Sequence, residues 1–400
     1  MRVYHMTEEP YPAAWDLGAE SLRVSLPSRH CDPVLAADLY HRYLDEWVLC
    51  DELGINIFVN EHHSTATCLT SSCNIILGVL ARITKHVRLL GLGIPIANRP
   101  DPLRIAEEVA IIDVLSRGRL DLGFIKGVPY EIVPSNASPI GISDRFWEAH
   151  DLIIKALSTQ DGPFSWEGRY FDYRSVNVWP RPYQQPHPPV WISTNSIGSI
   201  PEIAKRGYVV GTVMLGYKAK QLFDEYRKVW RESGRPLPCP LDRFCYCCFV
   251  AVGSSEEEGL RRGNEVMAYL RTSAVVGEQY RNPPGYMPAA VLAQAYKQSG
   301  GTAFRDQHIY TKEGKRLSTF AKSSVQDAMG GGLLFAGTPD QVYAHIVDFY
   351  EAVGGFGVLQ MMAQAGSMNH ADTSDSLQLF AKEVMPRLEE YHATRQMAAE

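Results

Sequence analysis

The feature that most constrains the fold is a regular alternation of apolar runs and helical segments along most of the 400 residues. Eight apolar runs indicate buried strands, at residues 3–6, 55–60, 87–94, 120–125, 190–194, 208–215, 244–252 and 356–362. Most of these runs are separated by segments whose apolar residues repeat at helical spacing. Strands that alternate with helices form a parallel sheet, and eight such units predict a (β/α)8 TIM barrel.

The length by itself allows either two ordinary domains or one large barrel with insertions. The alternation favours a single barrel domain over residues 1–400 with a long insertion between the seventh and eighth strands. Residues 276–332 of that interval contain a proline cluster, a Gln- and Ser-rich piece and a glycine run. We expect this insertion to be a mobile lid over the active site, with a fixed dimer contact as the alternative.

Charge and hydropathy exclude several classes of partner. The net charge is −6 and no long run of Lys and Arg occurs, which argues against nucleic acid and against an anionic membrane surface. The chain start lacks the pattern of a signal peptide, and no segment approaches the length of a membrane span. We therefore expect a cytoplasmic protein with a small-molecule partner.

The eight cysteines do not form the compact, evenly spaced framework of a small secreted protein. Cys245, Cys247 and Cys248 lie together in a run that reads as a buried strand. The run lacks a second Cys or His pair at zinc spacing, so we predict buried structural thiols and no metal site.

The second strand ends abruptly in Glu61, His62 and His63. Neighbouring side chains of an extended segment point to opposite faces, so His62 is expected on one side and its two neighbours on the other. Polar residues at the carboxyl tip of a barrel strand are typical of a catalytic site, and we favour His62 as the residue that faces the pocket. Two loop histidines making ordinary hydrogen bonds are the alternative.

A second polar segment follows the fifth strand. It contains Thr194, Asn195, Ser196, Gly198 and Ser199. Ser199 and Glu202 have the spacing of a helix capping box. Hydroxyl groups and a glycine at the start of a helix also favour binding of an anion such as phosphate, because free backbone N–H groups and the helix dipole both point at the ligand. Capping alone would equally account for Ser199.

Four ordered segments resemble the bacterial luciferase-like flavin-dependent monooxygenases over nearly the whole chain. They read NEHHS, PDPLRIAEEVAIIDVLSRGRLDLGF, WPRPYQQPHPPVWISTNSIGS and GTPDQVYAHI. The resemblance implies a (β/α)8 barrel, reduced FMN as a cosubstrate, molecular oxygen and a homodimer.

The resemblance also implies roles for single residues. His62 matches the essential histidine of the family, a base beside the flavin, with Glu61 and His63 as its catalytic neighbours. The segment of Thr194, Asn195, Ser196, Gly198 and Ser199 matches the part that binds the FMN phosphate.

Two further places match flavin contacts. Lys126, followed by Gly127, stands where luciferases have an arginine on the phosphate, and lysine keeps the charge but loses the bidentate fork. Gly93 and Ile94 stand where relatives have a strained cis peptide under the flavin, so we predict a cis bond there or a substitute at Ile94–Pro95. The chain departs from luciferases at Met214, which replaces a tryptophan near the flavin ring, and light emission is not expected.

These inferences predict a two-component monooxygenase that uses reduced FMN and oxygen to oxygenate a small organic substrate. No G-x-G-x-x-G fingerprint follows a strand, so the reduced flavin is expected from a separate flavin reductase. A deazaflavin-dependent oxidoreductase and a non-catalytic flavin-binding barrel are the alternatives. The sequence does not name the substrate.

Overall fold

The computed structural model describes residues 1–132, 134–273 and 307–399, with side chains to residue 395, and short stretches at 275–277, 280, 285–286, 288–290 and 292–293. The described strands are β1 (Arg2–Thr7), β2 (Asn56–Val59), β3 (Leu89–Pro95), β4 (Leu120–Ile125), β5 (Phe164–Glu167), β6 (Asp172–Val176), β7 (Val190–Ser193), β8 (Val209–Val213), β9 (Phe244–Val252), β10 (His308–Tyr310), β11 (Arg316–Thr319), β12 (Leu334–Gly337) and β13 (Val358–Gln364).

Eight of these strands form a closed parallel barrel in the order β1, β2, β3, β4, β7, β8, β9 and β13, and β13 pairs with β1. They are the eight strands that the apolar runs predict. Helices cover the outside of the barrel, so the predicted TIM barrel is confirmed.

β12 is a ninth strand that the sequence pattern does not predict. It pairs with the second half of β9, where Leu334 lies opposite Phe249, while the first half of β9 pairs with β8. Its four residues begin one residue after the glycine run at 330–332, and so short a run carries no readable period. The interval between the seventh and eighth barrel strands therefore contains an extra strand as well as an insertion.

The described helices are α1 (Pro33–Leu53), α2 (Cys73–Ile83), α3 (Pro102–Leu115), α4 (Pro129–Ile132), α5 (Ile142–Ser158), α6 (Ile200–Arg206), α7 (Ala219–Glu232), α8 (Glu256–Ser273), α9 (Val325–Gly330), α10 (Pro339–Val353), α11 (His370–Leu379) and α12 (Met385–Ala399). Several of these helices begin at a residue whose side chain caps the first turn. Asp101 accepts a hydrogen bond from the backbone of Arg104 at the start of α3, and Thr338 forms a capping box with Gln341 at the start of α10.

The apolar core has two parts, as expected for a barrel. One cluster fills the barrel interior and includes Tyr4, Phe58, Trp191 and Phe249. The other lies between the strands and the surrounding helices. Because the interior is packed with side chains, it is a core and not an open channel.

The insertion is partly described. Residues 307–332 form the antiparallel hairpin of β10 and β11, followed by α9. Ile309 and Phe320 of this part are buried and join the barrel-interior cluster. Between residues 278 and 306 only a few residues are described, among them Tyr286, and the rest fall outside the described residues, so the lid expected there remains a prediction.

All eight cysteines are free, and Cys245, Cys247 and Cys248 are buried in β9, which confirms structural thiols. Among the described residues, no group of side chains has the arrangement of a metal site. No helix in the described part of the chain is both long and apolar enough to cross a bilayer.

Candidate active site

Polar side chains collect where three barrel strands end at one mouth of the barrel. Glu8 and Glu9 follow β1, the segment from Asn60 to His63 follows β2, and the loop after β4 leads to Glu131 in α4. The carboxyl ends of parallel barrel strands share one face, and that face carries the reactive groups of such enzymes. Three distant parts of the sequence are thereby brought together.

His62 lies between two carboxylates. Its Nδ1 is 2.6 Å from Oε1 of Glu131, and its Nε2 is 3.8 Å from Oε2 of Glu8. The same Oε2 of Glu8 accepts a hydrogen bond of 2.8 Å from Nδ2 of Asn60. The His62 side chain is 17% exposed, whereas both carboxylates are buried. His62 therefore presents its ring to the mouth while its partners stay inside.

The pairing determines which nitrogen of His62 carries a proton. Burial raises the pKa of Glu131, but the charge and hydrogen bond of His62, together with Arg23, outweigh it and leave this pKa below its ordinary value. An ionised carboxylate can only accept, so Nδ1 must donate to Glu131. A neutral imidazole then has Nε2 free to take up a proton.

Arg23 supplies positive charge behind the two carboxylates. Its Nη2 donates to the Tyr269 hydroxyl at 3.0 Å, and its guanidinium lies 5.1 Å from the centroid of the Tyr130 ring. Burial opposes the charge, but the tyrosines and the nearby carboxylates of Glu131 and Glu8 outweigh it and raise the pKa of Arg23. A buried cation is tolerated only when it is paired in this way.

Glu61 is enclosed by structural contacts. Its carboxylate accepts from Nη2 of Arg99 at 2.7 and 2.9 Å and from the backbone of Cys73, at the first residue of α2, at 3.0 Å. It also lies 3.0 Å from Nε2 of His63, and this hydrogen bond raises the pKa of His63. His62 and His63 thus point to different partners, as expected from alternation, and the geometry favours a positioning role for Glu61 and His63.

The backbone of the mouth is strained. Four of the five non-glycine residues with positive φ in the described chain follow barrel strands or lie against these loops: Glu9, Val24, Ser64 and Met214. Val24, with φ of 65°, donates its N–H to the carbonyl of Ser64 at 2.6 Å. Such conformations cost of the order of 1–3 kcal/mol each and cluster at functional sites.

The loop after β4 contains a cation, and an unsatisfied amide from the loop after β3 lies beside it. Lys126 Nζ lies 5.1 Å from the centroid of the Tyr286 ring, and burial lowers the pKa of this lysine. Gly127 has φ of +86°, and a Cβ there would lie 2.6 Å from Nδ2 of Asn98. Neither amide atom of Asn98 has a hydrogen-bond partner among the described residues, although both are buried. A polar ligand beside Gly127 would satisfy them.

The segment after β7 differs from the predicted capping box. Ser199 makes no capping hydrogen bond, because a 3-10 turn, Ile197–Ser199, precedes the short helix α6. Glu202 instead contacts Arg206 and Lys205. The capping box prediction is therefore wrong, and its failure leaves the hydroxyl of Ser199 without a capping role.

Of the remaining residues in this segment, Asn195 and Thr194 make hydrogen bonds within the protein, whereas Ser196 and Gly198 are open to solvent. The side-chain amide of Asn195 is bonded to the backbone of Val213 in β8 at 2.7 and 3.0 Å, so it ties two strand ends together. Thr194 Oγ1 accepts the N–H of Ser196 at 3.0 Å. Ser196 and Gly198 are exposed. The hydroxyl of Ser196 thus remains available to a ligand.

The predicted cis bond at Gly93–Ile94 or Ile94–Pro95 is wrong. The cis bonds of the described chain precede Pro163, Pro180, Pro186 and Pro238. β3 is irregular in another way: Gly91 pairs with Leu122 and Ile94 with Phe124, so β3 holds one extra residue there. A bulge redirects a strand without a cis bond. A Cβ at Gly93 would lie 2.3 Å from Cδ1 of Ile125, which explains glycine at this point.

The residues that sequence reasoning missed are the partners of His62: Glu8, Arg23 and Glu131. Glu8 stands directly after β1, and this position alone was a usable signal. Arg23 lies in an irregular segment and Glu131 in the four-residue helix α4, and neither carries a comparable pattern.

A model of the luciferase-like monooxygenase family matches residues 22–355, which is most of the chain. The chain belongs to the luciferase-like monooxygenase family. Curated relatives include the oxygenase component of flavin-dependent trigonelline monooxygenase from Acinetobacter baylyi, 28% identical over 175 residues, covering 43% of this chain and 48% of that protein. Another is the alkanal monooxygenase beta chain of Photorhabdus luminescens, 28% identical over 202 residues, covering 50% of this chain and 61% of that one. This luciferase-like chain thus spans about half the length of the curated relatives that it matches.

Solved structures share the fold of this chain. A monooxygenase from Streptomyces bottropensis has a TM-score of 0.71 at 20% identity and covers 97% of this chain and 100% of its own. The oxygenating constituent of 3,6-diketocamphane monooxygenase from Pseudomonas putida, in complex with FMN, has a TM-score of 0.67 at 18% identity, with coverages of 96% and 97%. A coenzyme F420-dependent tetrahydromethanopterin reductase from Methanopyrus kandleri has a TM-score of 0.62 at 15% identity, with coverages of 96% and 98%.

Proposed function

We propose that the protein is the oxygenase component of a two-component flavin-dependent monooxygenase. It would take reduced FMN from a separate flavin reductase and use molecular oxygen to oxygenate a small organic substrate in the cytoplasm. The observation that carries the proposal is the pair of His62 and buried Glu131, 2.6 Å apart at the barrel mouth of a luciferase-like monooxygenase. The relative that is an oxygenase component supports the two-component arrangement.

The residues at the mouth suit FMN. Lys126 is partly desolvated, and the orphaned amide of Asn98 lies beside Gly127, where an added Cβ would clash. These groups, with Thr194, Ser196, Gly198 and Ser199, would hold the phosphate. Gly93 and Ile94 would lie against the ring. The bound flavin supplies the oxygen chemistry, and the protein supplies orientation and a dry site.

His62 acts in this proposal as a base at Nε2. Glu131 keeps the Nδ1 proton in place and stabilises the charge of the ring once Nε2 is protonated. Glu8, 3.8 Å from Nε2, adds to that stabilisation. Glu61 and His63 would hold the segment in position rather than contact the reacting atoms.

We also propose a homodimer through α2 and α3. These adjacent helices expose an apolar stripe that consists of Ile75, Val79, Ile83, Ile111, Val114 and Leu115. Ile75 is 68% exposed, and a contiguous apolar patch on paired helices is typical of a protein interface.

The deciding experiment mixes the anaerobic protein with chemically reduced FMN and then with oxygen, and follows flavin re-oxidation by absorbance. Binding of reduced FMN, with a re-oxidation rate that differs from that of free FMN, is expected. Parallel titrations with reduced F420 test the deazaflavin alternative, and stronger binding of F420 would replace FMN in the proposal. Oxidised FMN retained through purification, with no effect of the protein on the oxygen reaction, would instead indicate a storage protein.

A further inference from the structure

A cavity of about 360 Å3 lies beside the carboxyl end of β8. One side is formed by the chain from Met214 to Gln221, and the other by the β10–β11 hairpin of the insertion. The cavity therefore lies where the insertion meets the barrel mouth. None of its lining residues belongs to the His62 cluster.

The floor of the cavity is apolar. Met214, Ile309, Phe320 and Leu333 line it, are buried, and belong to the barrel-interior cluster. Met214 has φ of 50°, an unusual conformation for this residue type, directly after β8. A ligand in this cavity would gain free energy by covering apolar surface.

Two lysines lie at the rim, and one of them, Lys312, also lines a neighbouring cavity together with Glu313, Asp348 and Glu351. Lys218 and Lys312 line the cavity, and no Asp or Glu is among its described lining residues. Lys218 Nζ lies 4.0 Å from the centroid of the Tyr310 ring. Glu313 follows Lys312 but is exposed and does not line this cavity.

The two lysines of the rim differ from nearby lysines in their ion pairing. Lys220 pairs with Asp224 at 2.5 Å, and Lys228 pairs with Glu225 at 3.3 Å. Within the described chain, Lys218 and Lys312 have no carboxylate at ion-pair distance, in a protein whose net charge is −6. Two ammonium groups over an apolar floor are the complement of an organic anion.

We propose that this cavity is the substrate subsite and that the substrate is an organic acid with an apolar body. Its carboxylate or sulfonate group would lie between Lys218 and Lys312, and its body over Met214 and Phe320. The inference rests on the proposed function and specifies its substrate class. The flavin phosphate is assigned elsewhere, to Lys126 and Ser196.

The test is calorimetric titration of the full chain with 2-naphthoate and with 2-naphthylmethanol, its uncharged counterpart, with and without oxidised FMN. The double variant Lys218→Met and Lys312→Met keeps side-chain length and removes both charges. The matched control is Lys220→Met with Lys315→Met, which makes the same charge change outside the cavity lining, two residues beyond Lys218 in α7 and three residues beyond Lys312 in the β10–β11 hairpin. The naphthoate should bind about tenfold tighter than the alcohol, and the first variant alone should lose that preference.

Three results would overturn the proposal: equal binding of acid and alcohol to the parent protein, equal loss in both double variants, or displacement of naphthoate by FMN. If the first variant fails to fold, salt titration of the parent protein decides. Salt should weaken binding of the acid and leave the alcohol unaffected. Because the titration needs neither oxygen nor turnover, the subsite can stand if the monooxygenase proposal fails, and the reverse also holds.

Discussion

At the scale of single residues, the site is defined by how buried charges are paired. Glu131 is ionised because His62 and Arg23 offset its burial. Glu9 is the opposite case, since both of its oxygens are buried without a hydrogen-bond partner among the described residues. Burial, with Glu8 next to it, raises the pKa of Glu9 well above its ordinary value. Two neighbouring carboxyl groups, Glu8 and Glu9, therefore have different environments and different roles.

His62→Ala should lower turnover by about two to four orders of magnitude and leave flavin binding nearly unchanged, because a general base is lost. Glu131→Gln should lower turnover by about two orders of magnitude, since the charge that supports the imidazolium is removed. The double variant should be no slower than His62→Ala, because Glu131 acts through His62. Steady-state kinetics measure this, with Glu167→Gln on the exposed β5–β6 hairpin as the control. Additive losses would show that Glu131 acts independently.

Glu9→Gln should stabilise the protein at pH 8 and have little effect at pH 4. A carboxyl whose folded pKa is raised contributes stability below its unfolded pKa of about 4.3, and that stability is lost as pH rises toward the folded pKa. The uncharged amide does not titrate, so a gain on the order of 1–3 kcal/mol should appear only at the higher pH. Urea unfolding at both pH values measures it. An equal effect at the two pH values would show that Glu9 does not titrate differently in the folded protein.

At the scale of elements, α2 and α3 pack on each other and on the barrel with one face each. Six of their exposed residues are apolar, whereas most outward faces of barrel helices are polar. Ile75 and Val79 lie one turn apart on α2, and Ile111 and Leu115 lie one turn apart on α3. The two helices are neighbours in the fold and each carries an exposed apolar row.

Ile75→Glu combined with Ile111→Glu should convert the proposed dimer to a monomer, because two charges would be buried without partners in each half of the interface. Light scattering coupled to gel filtration reports the mass. Leu237→Glu, at another exposed apolar residue, is the control and should leave the mass unchanged. A parent protein that is already monomeric would rule out this interface.

At the scale of the whole molecule, barrel closure brings the loop after β4 and the segment after β7 to neighbouring positions. β4 and β7 pair directly, with Phe124 opposite Ile192, although about 68 residues separate them in the chain. Lys126 and Ser196 follow these two strands. A phosphate can therefore be held from both sides by residues that are distant in sequence.

Ser196→Ala combined with Lys126→Ala should weaken FMN binding by about tenfold or more and leave riboflavin binding unchanged, because only phosphate contacts are removed. Fluorescence titration with the two flavins measures the difference. Lys205→Ala, at an exposed lysine of α6, is the matched control. A similar loss for FMN and riboflavin would place the phosphate elsewhere.

The sequence by itself determined the barrel and much of its periphery. The spacing of apolar residues in the strands and helices is visible within short stretches of sequence. The same holds for the Asp101 cap of α3 and for Pro339 at the start of α10, because these interactions form between residues close in the chain. Position after a strand was enough to locate the polar tip at His62, because every parallel strand ends at the same face. The motif order indicated the family.

Only the tertiary structure decided which side chains and strands of the site lie next to each other. The bond from His62 to Glu131, the buried charge of Arg23 and the addition of β12 join segments that lie far apart in the chain, and no local pattern encodes such pairings. Ser199 and Gly93 show the converse: the capping box expected from spacing at Ser199 gives way to a 3-10 turn, and the cis bond that the resemblance implied at Gly93 gives way to a strand bulge. A capping hydrogen bond contributes only about 1 kcal/mol, so tertiary packing can outweigh it. The closure of the barrel therefore determined the final geometry of the site.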